Sequence, residues 1–308
     1  PPEESEGKGV AVSLQVVPAE FAVKSCTSQT FKVFALDRTG RRIEEVKDGM
    51  AWEKWIPPTA KVQSKVDAEI TEEGVLSTSI GAKLSAGALR VSKGELYGVT
   101  RGRVLQDLPY EVNFENGYAL ENNSSDGIAF PYPPLAWLGA RMRWQIQKIG
   151  ENHLAGNTLD RVLFQRAINF VGHKDMSNYT MVADVMTDGD RRTKSTVGLI
   201  NQRYVFALVG NSQILEIFSN YDRFRHSVPF SVKTNTWYRL KARVDVLGDG
   251  SGMIRAKAWE KGSPEPFAWT LEVPHAVPHR NGAPGIYAMS PQSKKKVYFD
   301  NLLITPTK

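Results

Sequence analysis

Trp237-Tyr238-Arg239-Leu240-Lys241-Ala242-Arg243-Val244-Asp245-Val246 alternates without a break, and its reading decides the fold. A strand turns successive side chains to opposite faces. Tyr238, Leu240, Ala242, Val244 and Val246 therefore share one face, and Trp237, Arg239, Lys241, Arg243 and Asp245 share the other. Gly248-Asp249-Gly250-Ser251-Gly252 supplies a turn, after which the return strand repeats the division: Ile254, Ala256 and Ala258 inward, Arg255, Lys257 and Trp259 outward. One apolar face and one wet face mark an antiparallel sheet covered on a single side.

Working outward, strand patterns recur at 141–147, 161–168, 179–186, 197–201, 204–209, 213–218, 237–247, 253–259, 268–273, 285–289 and 297–305, with no helix longer than two turns between them. Asn113-Phe114-Glu115-Asn116-Gly117 and Val297-Tyr298-Phe299-Asp300-Asn301-Leu302 stand at the two ends of this series and read as first and last strands of one sandwich. About eleven strands in some two hundred residues fit a concanavalin-like jelly roll. Upstream, Val10–Pro18 and Phe31–Asp37 alternate in the same way, and further short strands follow at 60–66, 69–71, 75–77 and 87–105. These fit a small immunoglobulin-like sandwich. The expected organisation is all-β: a linker at 1–9, an Ig-like β-sandwich at 10–107, an interdomain join at 108–112, and a larger concanavalin or laminin-G-like jelly-roll sandwich at 113–308.

No apolar run among the 308 residues approaches the ~20 that a membrane span needs. The single cysteine, Cys26, excludes an internal disulfide and a thiolate-rich metal site. Charge divides unevenly: residues 1–111 hold 15 Lys and Arg against 16 Asp and Glu, residues 112–308 hold 24 against 17. A basic second half fits either ordinary solubility or an anionic partner. No nucleic-acid-binding module is recognisable, and nucleic acid is not expected as a partner.

The outward hairpin residues Trp237, Arg239, Lys241, Arg243, Arg255, Lys257 and Trp259 are the expected ligand-binding patch. Guanidinium and ammonium groups grip carboxylate or sulfate, while indole faces pack on sugar rings, so the chemistry suits an anionic glycan. The same residues also fit a solvated sheet face. Trp52 and Trp55 are expected in the core of the first sandwich. Thr187-Asp188-Gly189-Asp190 lacks the later ligands of an EF-hand and reads as a hairpin tip. His275 and His279 have the spacing of helical metal ligands, but Pro274 and Pro278 oppose a helix, and no metal is expected there. Hydrolysis of a glycosidic bond needs two carboxylates, and the strands at 179–186 and 213–218 offer only Asp184 and Glu216; no catalytic residue is assigned.

Phe170-Val171-Gly172-His173-Lys174-Asp175-Met176-Ser177-Asn178-Tyr179-Thr180, Val197–Tyr204, Asn235–Lys241 and Gly282–Tyr287 resemble the C-terminal region of exported bacterial proteins built on a PQQ-like β-propeller. The resemblance implies an upstream propeller and a periplasmic or cell-surface location; an accessory role is read beside it, and no organic cofactor is expected. Glu115 and Asp300 match positions that hold a structural calcium in many carbohydrate-binding jelly rolls, with hydrogen bonds to neighbouring amides as the alternative use of the same carboxylates. The closing strand also resembles that of the 3-keto-disaccharide hydrolase group. The resulting expectation is a non-catalytic glycan-binding module, with a glycan-active enzyme or a structural scaffold packed on the propeller as alternatives.

Overall fold

The computed structural model describes residues 9–60, 62–115, 121–122, 129–130, 132–141, 143–157, 166–190, 192–290 and 296–307. Part of the expected strand at 161–168, residues 116–117 of the first end motif and most of the 1–9 linker lie outside them. The described residues are all β and form two compact units that divide between Gln106 and Asp107.

The first unit carries β1 (Ser13–Val17), β2 (Glu20–Val23), β3 (Ser28–Thr30), β4 (Lys32–Leu36), β5 (Arg42–Val46), β6 (Ala51–Trp55), β7 (Glu69–Ile70), β8 (Val75–Ser77), β9 (Ser85–Lys93) and β10 (Leu96–Val104). They form sheets ordered β1-β4-β5, β2-β10-β9-β6 and β3-β8-β7. Their alternating apolar residues, among them Leu14, Val16, Phe21, Val33, Leu76, Leu89 and Val91, close one core. Trp52 packs against this core with its ring 5.6 Å from Phe31.

The second unit begins with β11 (Tyr110–Val112), and β12 (Glu121–Asn122) and β13 (Ala129–Phe130) make a small separate ribbon. Next come β14 (Trp144–Ile149), β15 (Asn152–Asn157), β16 (Arg166–Phe170), β17 (Tyr179–Thr187), β18 (Thr196–Asn201), β19 (Tyr204–Val209), β20 (Ile214–Ser219) and β21 (Arg225–Pro229). The hairpin β22 (Trp237–Val246) and β23 (Gly252–Glu260) follows, then β24 (Leu271–His275), β25 (Gly285–Met289) and β26 (Val297–Pro306). An eight-stranded sheet runs β14-β15-β26-β17-β22-β23-β24, with β11 also paired to β26; a six-stranded sheet runs β16-β25-β18-β19-β20-β21. The two face each other as a sandwich.

Two expectations change here. Tyr110–Val112, read as part of a join, is a strand laid antiparallel against Ile304–Leu302. Asn113–Glu115, read as the opening strand, is instead the bend that leaves it, with Phe114 in the left-handed region at φ 59°. The first strand of the unit thus lies three residues earlier than its sequence signal.

The hairpin folds as its alternation requires. Tyr238, Leu240, Ala242, Val244, Ile254, Ala256 and Ala258 all point into the sandwich and are buried. Opposite them the six-stranded sheet contributes Val197, Leu199, Phe206, Leu208, Leu215, Ile217, Ile286 and Ala288, all buried. Trp144 spans the same core, its indole donating to Asn169 Oδ1 at 2.7 Å and its ring meeting Phe299 edge-on.

Leu240 has no exposed surface at the centre of this layer, so Leu240→Ala leaves a cavity rather than a solvated gap. It is expected to destabilise the unit by about 2–5 kcal/mol in a denaturant titration followed by tryptophan fluorescence. A loss below about 1 kcal/mol would show that the layer collapses around the missing side chain.

Candidate functional site

The expected patch on β22 and β23 forms as neighbours, but not as a free cationic surface. The register sets Lys241 opposite Lys257 and Arg243 opposite Arg255, two like-charge pairs that would repel on a bare sheet. Each pair is bridged by one carboxylate. Glu265 Oε1 accepts from Lys241 Nζ at 2.9 Å and from Lys257 Nζ at 3.0 Å. Asp245 accepts from Arg243 Nε at 2.7 Å and from Arg255, which also reaches Glu272 at 2.6 Å. Burial pushes the Glu265 carboxyl up, but the two lysines outweigh it and hold the group below the usual range.

Residues 261–270 fold back across this face. Lys257 Nζ donates to Pro266 O at 2.6 Å, and both lysines lie over the Trp269 ring. Lys257 is left 5% exposed and Trp259 8% exposed, so neither is presented to a ligand as the alternation alone implied. Trp237 is half-buried beneath Lys261, and Arg239 is tied to Asp184.

Asp184 and Asp300 stand directly opposite each other on β17 and β26, where the register shifts between Val182 and Asp184. The extra residue of β26 is Asn301, in the left-handed region that asparagine tolerates, at φ 48°. Its carboxamide donates to both acids, at 2.9 Å to Asp184 and 3.0 Å to Asp300. The two acids nevertheless differ. Burial raises Asp184, but Lys261 at 2.7 Å, Arg239 at 3.0 Å and Asn301 overcome it and keep the carboxyl below its ordinary value. Asp300 is held above its ordinary value, first by burial and further by Asp184, despite hydrogen bonds from Asn152 and Asn301.

Glu115 accepts from His153 N at 2.7 Å and meets His153 Nδ1 at 2.9 Å; Asp300 accepts from Asn152 at 2.9 Å and from Asn301 N at 2.8 Å. The carboxylates proposed for calcium thus face N–H donors, and among the described residues no three His, Cys, Asp or Glu side chains converge on a point suited to a metal. This donor set does not fit calcium, which binds through free oxygens.

A pocket opens instead on the six-stranded sheet, on the face turned away from the core. Side chains align across the strands in rows there. Ile168, Tyr287, Gly198, Ala207, Glu216 and Ser227 form the middle row. Arg166, Met289, Thr196 and Val209 lie on one side of it. Ile200, Val205, Phe218 and Arg225 lie on the other. Residues of all three rows, among them Arg166, Thr196, Glu216, Phe218 and Tyr287, line a cavity of about 240 Å³.

Its walls combine rings and charges. Arg225 lies over the Phe218 ring, 4.8 Å from the centroid, and its Nη1 reaches Glu216 Oε1 at 2.7 Å. Tyr287 meets Phe218 edge-on at 6.0 Å. Burial raises the Tyr287 phenol, so it stays protonated and acts as a donor. Arg166 adds a second guanidinium at the rim; it hydrogen-bonds the Tyr287 phenol and makes no ion pair with any described residue. Asn220 completes the polar set. Among the described residues that line the cavity, two arginines stand against one glutamate.

The sequence reading missed this site. One signal was present: Ile214-Leu215-Glu216-Ile217-Phe218 carries a lone carboxylate inside an otherwise apolar strand, which is costly to bury without a partner. The partner, Arg225, is supplied by the next strand.

No protein-family profile and no curated protein matches the chain. Among solved structures, an alginate lyase complexed with an alginate trisaccharide is similar over 66% of this chain and all of its own, at 14% identity and TM-score 0.39. An endo-β-1,4-glucuronan lyase from Trichoderma reesei is similar over 64% of this chain and 95% of its own, at 11% identity and TM-score 0.36. A carbohydrate recognition domain in metal-free form is similar over 65% and 97%, at 9% identity and TM-score 0.39. At these identities and scores they bear on neither substrate nor chemistry.

The two acids give opposite expectations. Asp184→Asn removes a paired buried charge and should cost about 3–5 kcal/mol at neutral pH. That contribution is present above the ordinary aspartate value and is lost as pH falls through the lowered one. Asp300→Asn removes a charge that burial disfavours and should cost clearly less; equal losses in thermal denaturation would refute the asymmetry. Millimolar calcium is expected to leave the melting temperature unchanged, and a rise of several degrees would restore Glu115 and Asp300 as a metal clamp.

Proposed function

We propose that this chain is a glycan-binding module whose ligand is an acidic sugar held in the pocket of the six-stranded sheet. The carrying observation is the Arg166 guanidinium, which makes no ion pair with another described residue, beside a ring-lined cavity that already contains a fixed Glu216–Arg225 pair. Arg166 would take the sugar carboxylate, since a guanidinium presents parallel donors that match its two oxygens. Phe218 and Tyr287 would pack against the apolar face of the ring, while Glu216 and Asn220 would receive and give hydrogen bonds at its hydroxyls. The ligand class is the one the hairpin patch suggested; the site is on the opposite sheet.

Among the described residues that line the pocket, Glu216 is the only carboxylate, and it is committed to Arg225. Paired-carboxylate hydrolysis has no second member there, which favours binding over that chemistry. Among the described residues no helix is long and apolar enough to cross a membrane. An exported location and an upstream propeller, both implied by the sequence resemblance, belong to the same proposal, and the coding sequence preceding residue 1 tests them.

Calorimetric titration with uronic-acid oligosaccharides should show binding that matched neutral oligosaccharides lack. Arg166→Ala should weaken it by about 1.5–3 kcal/mol, the range for a charge-assisted contact, and Phe218→Ala should weaken it by loss of ring packing, while Arg255→Ala leaves it unchanged. Binding retained in Arg166→Ala and lost in Arg255→Ala would return the site to the hairpin.

A further inference from the structure

Behind the pocket wall lies a cluster that the binding reading does not use. The chain leaving β20 alternates: Phe218 and Asn220 line the pocket, while Ser219 is buried and turns the other way. Ser219 Oγ accepts from Tyr221 N at 3.2 Å and lies 2.8 Å from His279 Nε2, so the hydroxyl proton is free to go to the imidazole. Asp222 Oδ2 waits 3.6 Å from the same Nε2 and 3.8 Å from His275 Nε2, beyond hydrogen-bond reach of either.

Tyr204 organises the other side of the cluster. Its hydroxyl accepts from His279 N at 3.0 Å and lies 2.6 Å from His275 Nδ1. Burial pushes the Tyr204 phenol up to about 12, so it remains a donor and gives its proton to His275 Nδ1. His275 then carries its own proton on Nε2, facing Asp222, which suits a carboxylate and opposes a metal at that nitrogen.

We propose that the Ser219–His279 hydrogen bond is a proton-operated latch on the pocket. With His279 neutral, its Nε2 accepts from Ser219 and holds the Phe218–Asp222 segment, and with it Asn220, against the cavity. Once protonated, Nε2 becomes a donor and the Ser219 hydroxyl loses its acceptor; the new proton can go to the Ser219 oxygen or to Asp222, the nearest carboxylate, whose charge favours it. Pairing with Asp222 closes the 3.6 Å gap by a shift of the segment between Ser219 and Asp222, and Asn220 lies within it. The titratable and charged groups facing His279 are Tyr221 and Asp222 after β20, Arg203 before β19, Tyr204 on β19 and His275 on β24. Burial first, helped by Arg203 and His275, outweighs Asp222 and keeps the imidazole below its ordinary value. The latch is therefore closed at neutral pH and opens only as pH falls below the ordinary histidine range.

This inference rests on the pocket as the binding site, so its test has a readout free of ligand. Imidazole and backbone amide shifts of the full chain, recorded from about pH 7.5 to pH 5, should show Asn220, Tyr221 and Asp222 moving with the His279 titration. The same amides should stand still in His279→Gln, whose carboxamide oxygen still accepts from Ser219 but takes up no proton. Asp222→Asn, which leaves the Ser219 bond intact, should move the titration to lower pH. Affinity for a uronic-acid oligosaccharide should fall by up to about tenfold per pH unit below the His279 midpoint, and not in His279→Gln. Amides that ignore the titration overturn the latch, as does zinc that suppresses the titration and raises the melting temperature. If the native chain binds no oligosaccharide at any pH, the pocket reading fails while the amide shifts still decide the latch.

Discussion

The backbone ladder of β26 is the constraint on which the second unit depends. This strand pairs along its length with β17 and on its other edge with β15 and then β11. The chain end is thereby tied to the beginning of the unit by main-chain hydrogen bonds, which any sequence of suitable pattern can make. The specific cost appears at one place, where β26 must insert Asn301 and two acids come to face each other. There the strand needs a side chain that tolerates the left-handed region and can donate to both carboxylates, and asparagine does both.

Charge on the two sheets is handled in different ways. On the eight-stranded sheet, like charges that the register brings together are neutralised by acids from the same face or from the returning 261–270 segment. Such a network satisfies itself. On the six-stranded sheet Glu216 neutralises Arg225, and among the described residues no carboxylate pairs with Arg166 beside the cavity. An unmatched cation on a recessed, ring-lined surface is a better mark of a binding site than a larger number of cations that are already paired.

The hairpin shows how far alternation carries. Its inward face was legible residue by residue, because period-two placement depends only on the local backbone, and every inward residue from Tyr238 to Val244 is buried. Its outward face was legible as a set of neighbours but not as a surface. Whether Lys257 and Trp259 meet solvent depends on where residues 261–270 go, and on Glu265 and Asp245 arriving at the right height. The end motifs behave likewise. Val297–Leu302 lies in the closing strand, whereas Asn113–Glu115 is the bend beside the opening one, since the pairing that defines a strand lies outside the segment itself.

By itself, the sequence determined that this protein is all β, where most strands lie, and which side of each strand is apolar, since these follow from side-chain period and turn chemistry. Only the tertiary structure decided which charges are spent and which remain. Glu216 and Arg225, Arg166 and Tyr287, and Ser219 and His279 come from different strands and loops, and long-range pairing alone brings each set within reach. The pocket is a property of the register between strands, which no single strand encodes.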